Sequence, residues 1–268
     1  MRFIYTTDLH GNIAKYEKIL DIAVKSKINL IHLGADLLPK ESPLDHVQHR
    51  FIEGFLQDYY RRCVDQDIKV LSFFGNDDLY TLKSSFRAYG DLLDETFYKQ
   101  DGYEFTAYGY VQDYKFGLKT ACKNDRPGWV CPEHYISSPV DPLVSGWDRI
   151  PDVRQYFLSK GTIEEDLRYL SVGPKTIVAL HQPPVGLGLD VCYDDRRVGS
   201  VAVHSWIEQK QPLLVLSGHI HESFSCSELW KGQIGKSLVI QPGQLRNLSY
   251  VFIEVTDTIE AERHEIEL

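Results

Sequence analysis

The chain has 268 residues, of which 43% are hydrophobic and 25% charged, and a formal charge of -9 at pH 7. This is ordinary globular composition, with enough apolar content for a sizeable core, so one domain over 1–268 and no long disordered tract are expected. So acidic a chain lacks the clustered Lys and Arg that hold a phosphate backbone, which excludes a general nucleic-acid binder and fits a small substrate. Bound divalent cations would offset the charge locally, so phosphate chemistry stays open. The cysteines Cys63, Cys122, Cys131, Cys192 and Cys226 have no metal-type spacing, and the opening MRFIYTT reads as a strand and not as a signal peptide. No apolar run approaches the roughly eighteen residues of a spanning helix. A cytoplasmic protein without a membrane segment is the expectation.

In chain order, Arg2 to Thr6 reads as a buried strand, and Ile13, Tyr16, Ile19, Leu20 and Ala23 recur at helical spacing. Ile28 to Leu33 is the next strand, followed by a helical stripe of Val47, Phe51, Phe55, Tyr59 and Cys63, and then a third strand at Ile68 to Phe74. Strands alternating with helices predict an α/β architecture with a largely parallel sheet. The stretch of about 79–173, rich in Tyr, Gly, Asp and Pro, reads as a partly irregular insertion with short strand-like pieces such as Phe105 to Tyr108. Regular patterning returns with a strand at Thr176 to Leu180, a helix at Val201 to Glu208 capped by Ser200, and strands at Leu213 to Leu216, Leu238 to Gln241 and Tyr250 to Val255.

Five of these strands run into short polar loops that carry metal-binding side chains: Asp8 and His10, Asp36, Asn76, His181, and His219 with His221. Residues just beyond the carboxyl ends of strands gather on one edge of an α/β sheet, so distant segments can build one site. Singly, each loop has a plainer reading: Asp8 as a helix cap, Asp36 as a turn former, Asn76 as a loop residue after Gly75, His181 as a satisfied strand-end histidine. Together they supply seven ligand side chains, and one bridging carboxylate counted twice gives four protein contacts to each of two metals. Oxygen and imidazole ligands without thiolate suit Mn, Fe, Zn or Ni better than Ca or Mg.

The segments DLH at Asp8 to His10, GAD at Gly34 to Asp36, GND at Gly75 to Asp77, His181, and GHIH at Gly218 to His221 resemble, in order, the five motifs of the calcineurin-like metallophosphoesterase superfamily. GHIHES and the later QPGQ at Gln241 to Gln244 look most like its bacterial-type phosphoesterases. The resemblance implies a two-sheet sandwich flanked by helices on both outer faces. It also implies that Asp8, His10 and His221 bind one divalent metal, that Asn76, His181 and His219 bind the other, and that Asp36 bridges them, with Mn favoured. Two cations about 3.5 to 4 Å apart lower the pKa of a shared water and clamp phosphate oxygens. A metal-bridging hydroxide is then the expected nucleophile, and no serine or cysteine motif offers another.

Two departures stand out. The family commonly has His directly after the Gly-Asn pair, acting near the leaving group, where this chain has Asp77. With His219, Asp77 is the expected catalytic side chain; it can donate a proton at neutral pH only if burial or a neighbour such as Asp78 raises its pKa, and otherwise it orients Asn76. The substitution favours phosphodiesters or good leaving groups over alkyl monoesters. Ala35 separates Gly34 from Asp36 where many members place Asp directly after Gly, a shift that a small residue absorbs. Tyr108 to Arg126, with Lys119, Lys123 and Arg126, reads as a solvated loop in preference to a roof over the site, and Gly243 as a point of close backbone approach. A related fold serving as an inactive binding scaffold is the rival reading; retention of the whole ligand set argues against it.

Overall fold

The computed structural model describes residues 1–94, 96–112, 118–129, 140–143 and 146–268. Strands β1 (Arg2–Thr6), β2 (Leu30–Leu33) and β3 (Lys69–Leu71) alternate with α1 (Ile13–Ser26) and with a helical segment built of α2 (Leu44–Phe51), a π-helical turn (Ile52–Leu56) and α3 (Gln57–Asp65). There follow a short helical turn at Tyr80–Leu82, α4 (Lys83–Phe86), β4 (Tyr98–Gln100), β5 (Tyr103–Tyr108), β6 (Val111–Gln112), β7 (Cys122–Lys123), β8 (Val140–Leu143), β9 (Gly146–Arg149), α5 (Val153–Lys160) and α6 (Ile163–Tyr169). The last third holds β10 (Thr176–Leu180), α7 (Val201–Lys210), β11 (Leu214–Leu216), α8 (Ser223–Ser227), β12 (Lys231–Ile234), β13 (Ser237–Ile240), β14 (Leu248–Val255) and β15 (Ile259–Ile266).

Eleven of these strands form two main sheets, in the orders β15-β14-β1-β2-β3 and β12-β13-β11-β10-β5-β4, and β6-β7 and β8-β9 pair separately. The centres are parallel: Tyr5 lies beside His32, and Ile177 beside both Phe105 and Leu214. Antiparallel pairing is confined to the margins, where β14 and β15 flank β1, β12 flanks β13, and β4 flanks β5.

The period-2 alternation of strand side chains sorts them into separate cores. Phe3, Tyr5, Leu30, Phe105, Ile177, Ala179, Leu214 and Leu216 meet between the sheets. Ile4, Ile31 and Val70 face outward onto Tyr16, Ile19 and Tyr59, while Val178, Leu180 and Val215 face outward onto Ala202, Val203 and Trp206. Helices therefore cover both outer faces, giving the expected order of helix, sheet, sheet, helix.

Local differences from the sequence expectation have physical reasons. The stripe Val47, Phe51, Phe55, Tyr59, Cys63 repeats every four residues, which drifts about 40° per step on a straight α-helix. The π turn in the middle, wider than an α turn, takes that drift back. As a result Tyr16 meets all three rings, with centroids 5.9 Å from Phe51, 5.5 Å from Phe55 and 5.3 Å from Tyr59. Strand β5 contains the expected strand-like piece Phe105 to Tyr108, but it is an inner strand of the second sheet and not a short element of an irregular insertion. Strand β15, with sequence IEAERHEI, was not anticipated, because charged alternating residues on a sheet edge look like solvated chain.

The solvated-loop expectation for Lys119, Lys123 and Arg126 holds only for Arg126. Lys119 is buried, its ammonium 5.9 Å from the Phe157 ring centre, and Lys123 pairs with Asp166 at 2.5 Å. Ser200 caps α7 as expected, accepting a hydrogen bond from the Val203 N–H at 2.9 Å. Cys63 and Cys122 are buried free thiols, and Cys192 and Cys226 are partly buried ones; Cys131 lies outside the described residues. No helix among the described residues is long and apolar enough to cross a membrane.

Candidate metal centre

The carboxyl ends of β1, β2 and β3 in one sheet and of β10 and β11 in the other point to the same edge, and every expected ligand lies just past one of them. The first two loops are zipped together: Asp8 N–H donates to Ala35 O at 3.0 Å, His10 N–H to Asp36 O at 2.9 Å, and Gly11 N–H to Leu37 O at 2.8 Å. Across the sandwich, His219 N–H donates to both Asp8 carboxylate oxygens at 3.1 Å. Asp8 is thus not the cap of α1. That task belongs to Asn12, whose Oδ1 accepts from Lys15 N–H.

Two donor clusters result. Asp8, His10, Asp36 and His221 form one and Asp36, His181 and His219 the other, with the ligand atoms of each cluster within 4.8 Å of one another. Asp36 belongs to both. The His181 Nε2 lies 3.3 Å from Asp36 Oδ2 and 3.0 Å from Asn76 Oδ1, which adds Asn76 to the second cluster. His221 Nε2 lies 3.4 Å from Asp8 Oδ1 and 3.1 Å from His10 Nε2.

Asp8 (φ 56°), His10 (φ 44°), Asp36 (φ 55°) and His219 (φ 69°) are four of the ten non-glycine residues in the left-handed conformation among the described residues, which costs of order 1 to 3 kcal/mol and persists where the surrounding structure over-determines it. The motif glycines have a steric reason. A Cβ on Gly75 would lie 2.2 Å from Asp36 Oδ1, one on Gly218 2.4 Å from Asp8 Oδ2, and one on Gly34 2.4 Å from Thr7 Oγ1. Gly243, at φ 70°, lets the chain pass the His221 carbonyl, which a Cβ would meet at 3.0 Å. Ala35 is fully buried between the sheets.

The electrostatics suit cations. Burial pushes His10 and His219 down to about 3, so their rings are neutral and offer a lone pair. Burial opposes charge on Asp8 and Asp36 as well, but the His221 ring beside Asp8 and the His181 ring beside Asp36 hold both carboxyls below their usual range. The same contacts overcome burial and raise His181 and His221. Buried carboxylates facing imidazole nitrogens that converge on shared points form a donor set of the kind that holds divalent ions of the Mn, Fe, Zn and Ni type.

Asp77 sits differently from a free acid. Its Oδ1 accepts from the Asn76 side-chain amide at 3.1 Å, its Oδ2 pairs with Lys40 Nζ at 2.5 Å, and its N–H donates to Asp36 Oδ1 at 2.9 Å. Burial and the Asp36 charge raise its carboxyl above the usual carboxylate range, outweighing the pull of Lys40. Asp78, expected as a possible neighbour tuning Asp77, is instead a fully buried clamp: its carboxylate accepts from the N–H groups of Leu37 (3.1 Å), Leu38 (2.8 Å) and Gly75 (2.9 Å). Gln48 of α2 repeats the device, donating to Pro39 O at 3.0 Å and Asp77 O at 2.7 Å and accepting from Leu79 N–H at 2.9 Å. Lys40 and Gln48 were not singled out in the sequence, and Asp78 only as a neighbour of Asp77. The only sequence signal for Lys40 is its place four residues after Asp36.

A family model for calcineurin-like phosphoesterases matches residues 1–223. The chain belongs to this family. It is therefore a metal-dependent phosphoric ester hydrolase of the calcineurin-like type. Among solved structures, one superposes with a TM-score of 0.62 at 17% identity, over 98% of both chains. TT1561 of Thermus thermophilus does so at 0.52 with 19% identity over 97% of both chains. A dimetal phosphatase from Danio rerio does so at 0.52 with 11% identity, over 100% of this chain and 98% of that one. At such identities the structural likeness speaks for the calcineurin-like fold alone. No curated protein matches the chain in sequence.

Proposed function

We propose that this calcineurin-like phosphoesterase uses a binuclear centre, with Mn favoured among Mn, Fe, Zn and Ni, to hydrolyse a small phosphate ester, phosphodiesters in preference to alkyl monoesters. In this reading Asp8, His10 and His221 hold one ion, Asn76, His181 and His219 hold the other, and Asp36 bridges them. The observation that carries it is the sharing of Asp36 between two donor clusters. The description of the Danio rerio protein as a dimetal phosphatase agrees with a two-ion centre.

When bound, such a pair of ions neutralises phosphate charge and supplies an activated water. The chain's own part is positioning. The zipped loops of β1 and β2, the Asp78 and Gln48 clamps and the left-handed ligands hold the donors in a fixed geometry, so little reorganisation is needed during reaction. Burial and the Asp36 charge raise the Asp77 carboxyl, yet both its oxygens are engaged, by Lys40 and by Asn76, which leaves it less suited to reach a leaving group than the imidazole commonly found after the Gly-Asn pair. That supports a preference for esters whose leaving group departs without a proton.

The test is hydrolysis of bis(p-nitrophenyl) phosphate by metal-stripped protein resupplied with Mn²⁺, with Asp36→Asn as control. Turnover that requires metal and collapses in the control is expected. Failure of the chain to bind metal would sink the reading, and a higher specificity constant for an alkyl monoester than for a matched diester would remove the substrate preference.

A further inference from the structure

We infer that Lys40 is a substrate-phosphate-binding residue of this site and that Asp77 is the positioning residue that aims it. This rests on the phosphoesterase reading above for the identity of the ligand, and on separate geometry for the residue. Lys40 lies four positions beyond Asp36, its side chain is 46% exposed, and its ammonium pairs with Asp77 at 2.5 Å, beside a centre whose carboxylates are buried. Its charge reaches the ligands themselves, depressing His10, opposing the rise of His221 and stabilising the Asp36 carboxylate.

The pair is held from below. Gln48 fixes the carbonyl of Pro39, next to Lys40, and the carbonyl of Asp77 with one side-chain amide, and Asp78 fixes the backbone just before each of them. Asp77 is tethered to the bridging residue through its N–H and to Asn76 through Oδ1, leaving Oδ2 for Lys40. A surface ion pair between flexible side chains contributes little stability, so two buried clamps beneath this one point to a role other than stability. Among the described residues Asp77 is the one carboxylate within 4.0 Å of Lys40. An ammonium has three N–H donors, so others remain to meet phosphate oxygens.

The experiment titrates inorganic phosphate into the full-length, metal-loaded chain by calorimetry and measures KM and kcat on bis(p-nitrophenyl) phosphate, with metal content checked by elemental analysis. Lys40→Met should keep the parent's metal content, weaken phosphate binding about ten- to a hundredfold, the worth of a charged hydrogen bond, and raise KM. Lys40→Arg should recover most of the loss. Asp77→Asn should weaken phosphate binding up to about fivefold in the parent and have no effect in the Lys40→Met background, which a merely structural role would not produce. Phosphate affinity and KM unchanged in Lys40→Met would overturn the assignment of Lys40, and an Asp77→Asn effect of equal size in both backgrounds would overturn that of Asp77. If the parent hydrolyses no ester but its phosphate binding still depends on Lys40, the catalytic reading fails and the present one stands.

Discussion

His32 lies in the core between the sheets with its ring against Tyr5, Phe73 and Phe105, fully buried, and neither ring nitrogen has a well-formed hydrogen bond among the described residues. Burial pushes its ring down to about 3. An unfolded histidine titrates near 6.5, so between those values the unfolded chain holds one more proton than the folded one. Stability from this group is complete above pH 6.5 and drains as pH falls, at a limiting slope of about 1.4 kcal/mol per pH unit. Urea unfolding of the parent and of His32→Leu between pH 7 and pH 5 should therefore differ, the parent losing about 2 kcal/mol more across that interval; parallel slopes would refute it. Gly75 gives a second single-atom test. Gly75→Ala sets a methyl 2.2 Å from Asp36 Oδ1 and 2.9 Å from Asp36 N, so Asp36 must move. Metal affinity should fall by about 10- to 100-fold while circular dichroism stays that of the parent; retained affinity would mean that the bridge tolerates displacement. The candidate ligands were legible because each follows an apolar strand pattern. Lys40, Gln48 and Asp78 were not, because what they do depends on contacts 29 to 41 residues away in sequence.

At the scale of elements, local patterning served wherever one face of a strand or helix is apolar, as in β1, β2, β10 and α1, and failed where charge masks pairing, as in β15. The segment between β5 and β10 escaped for another reason: its regularity comes from docking onto the second sheet. Asp125 shows how. This buried carboxylate accepts from the hydroxyl of Ser200 and from Val201 N–H (3.2 Å) and Ala202 N–H (3.3 Å), the free donors at the start of α7. The neighbouring backbone holds α6, with Ile163 N–H donating to Asn124 O at 2.9 Å and Glu164 N–H to Asp125 O at 3.0 Å. Asp125→Ala leaves buried donors without a partner, so a loss of about 1 to 3 kcal/mol is expected. Because the cap joins two helices from different parts of the chain, protease cleavage near 126–129 should accelerate along with the fall in unfolding free energy. A variant as stable and as resistant as the parent would show that Ser200 alone suffices to start α7.

At the scale of the whole molecule, the sheets converge on one edge, where buried carboxylates, histidines and four left-handed residues sit together. A cluster of this kind is a local deficit in the folded state that bound cations offset. Ions that bind the folded chain and not the unfolded one stabilise it by RT ln(1 + [L]/Kd), about 2.7 kcal/mol for one site at a hundredfold excess over Kd. For a chain of this size each kcal/mol is worth roughly 2 to 4 °C in Tm, so resupplying Mn²⁺ to stripped protein should raise Tm by about 5 to 10 °C per site. Because Asp36 serves both clusters, Asp36→Asn should remove most of the rise at once, while Asn76→Ala, which touches one cluster, should remove about half. Equal losses in the two variants would argue against a shared bridge, and a Tm indifferent to metal in the parent would leave the strain at Asp8, His10, Asp36 and His219 without the compensation proposed for it.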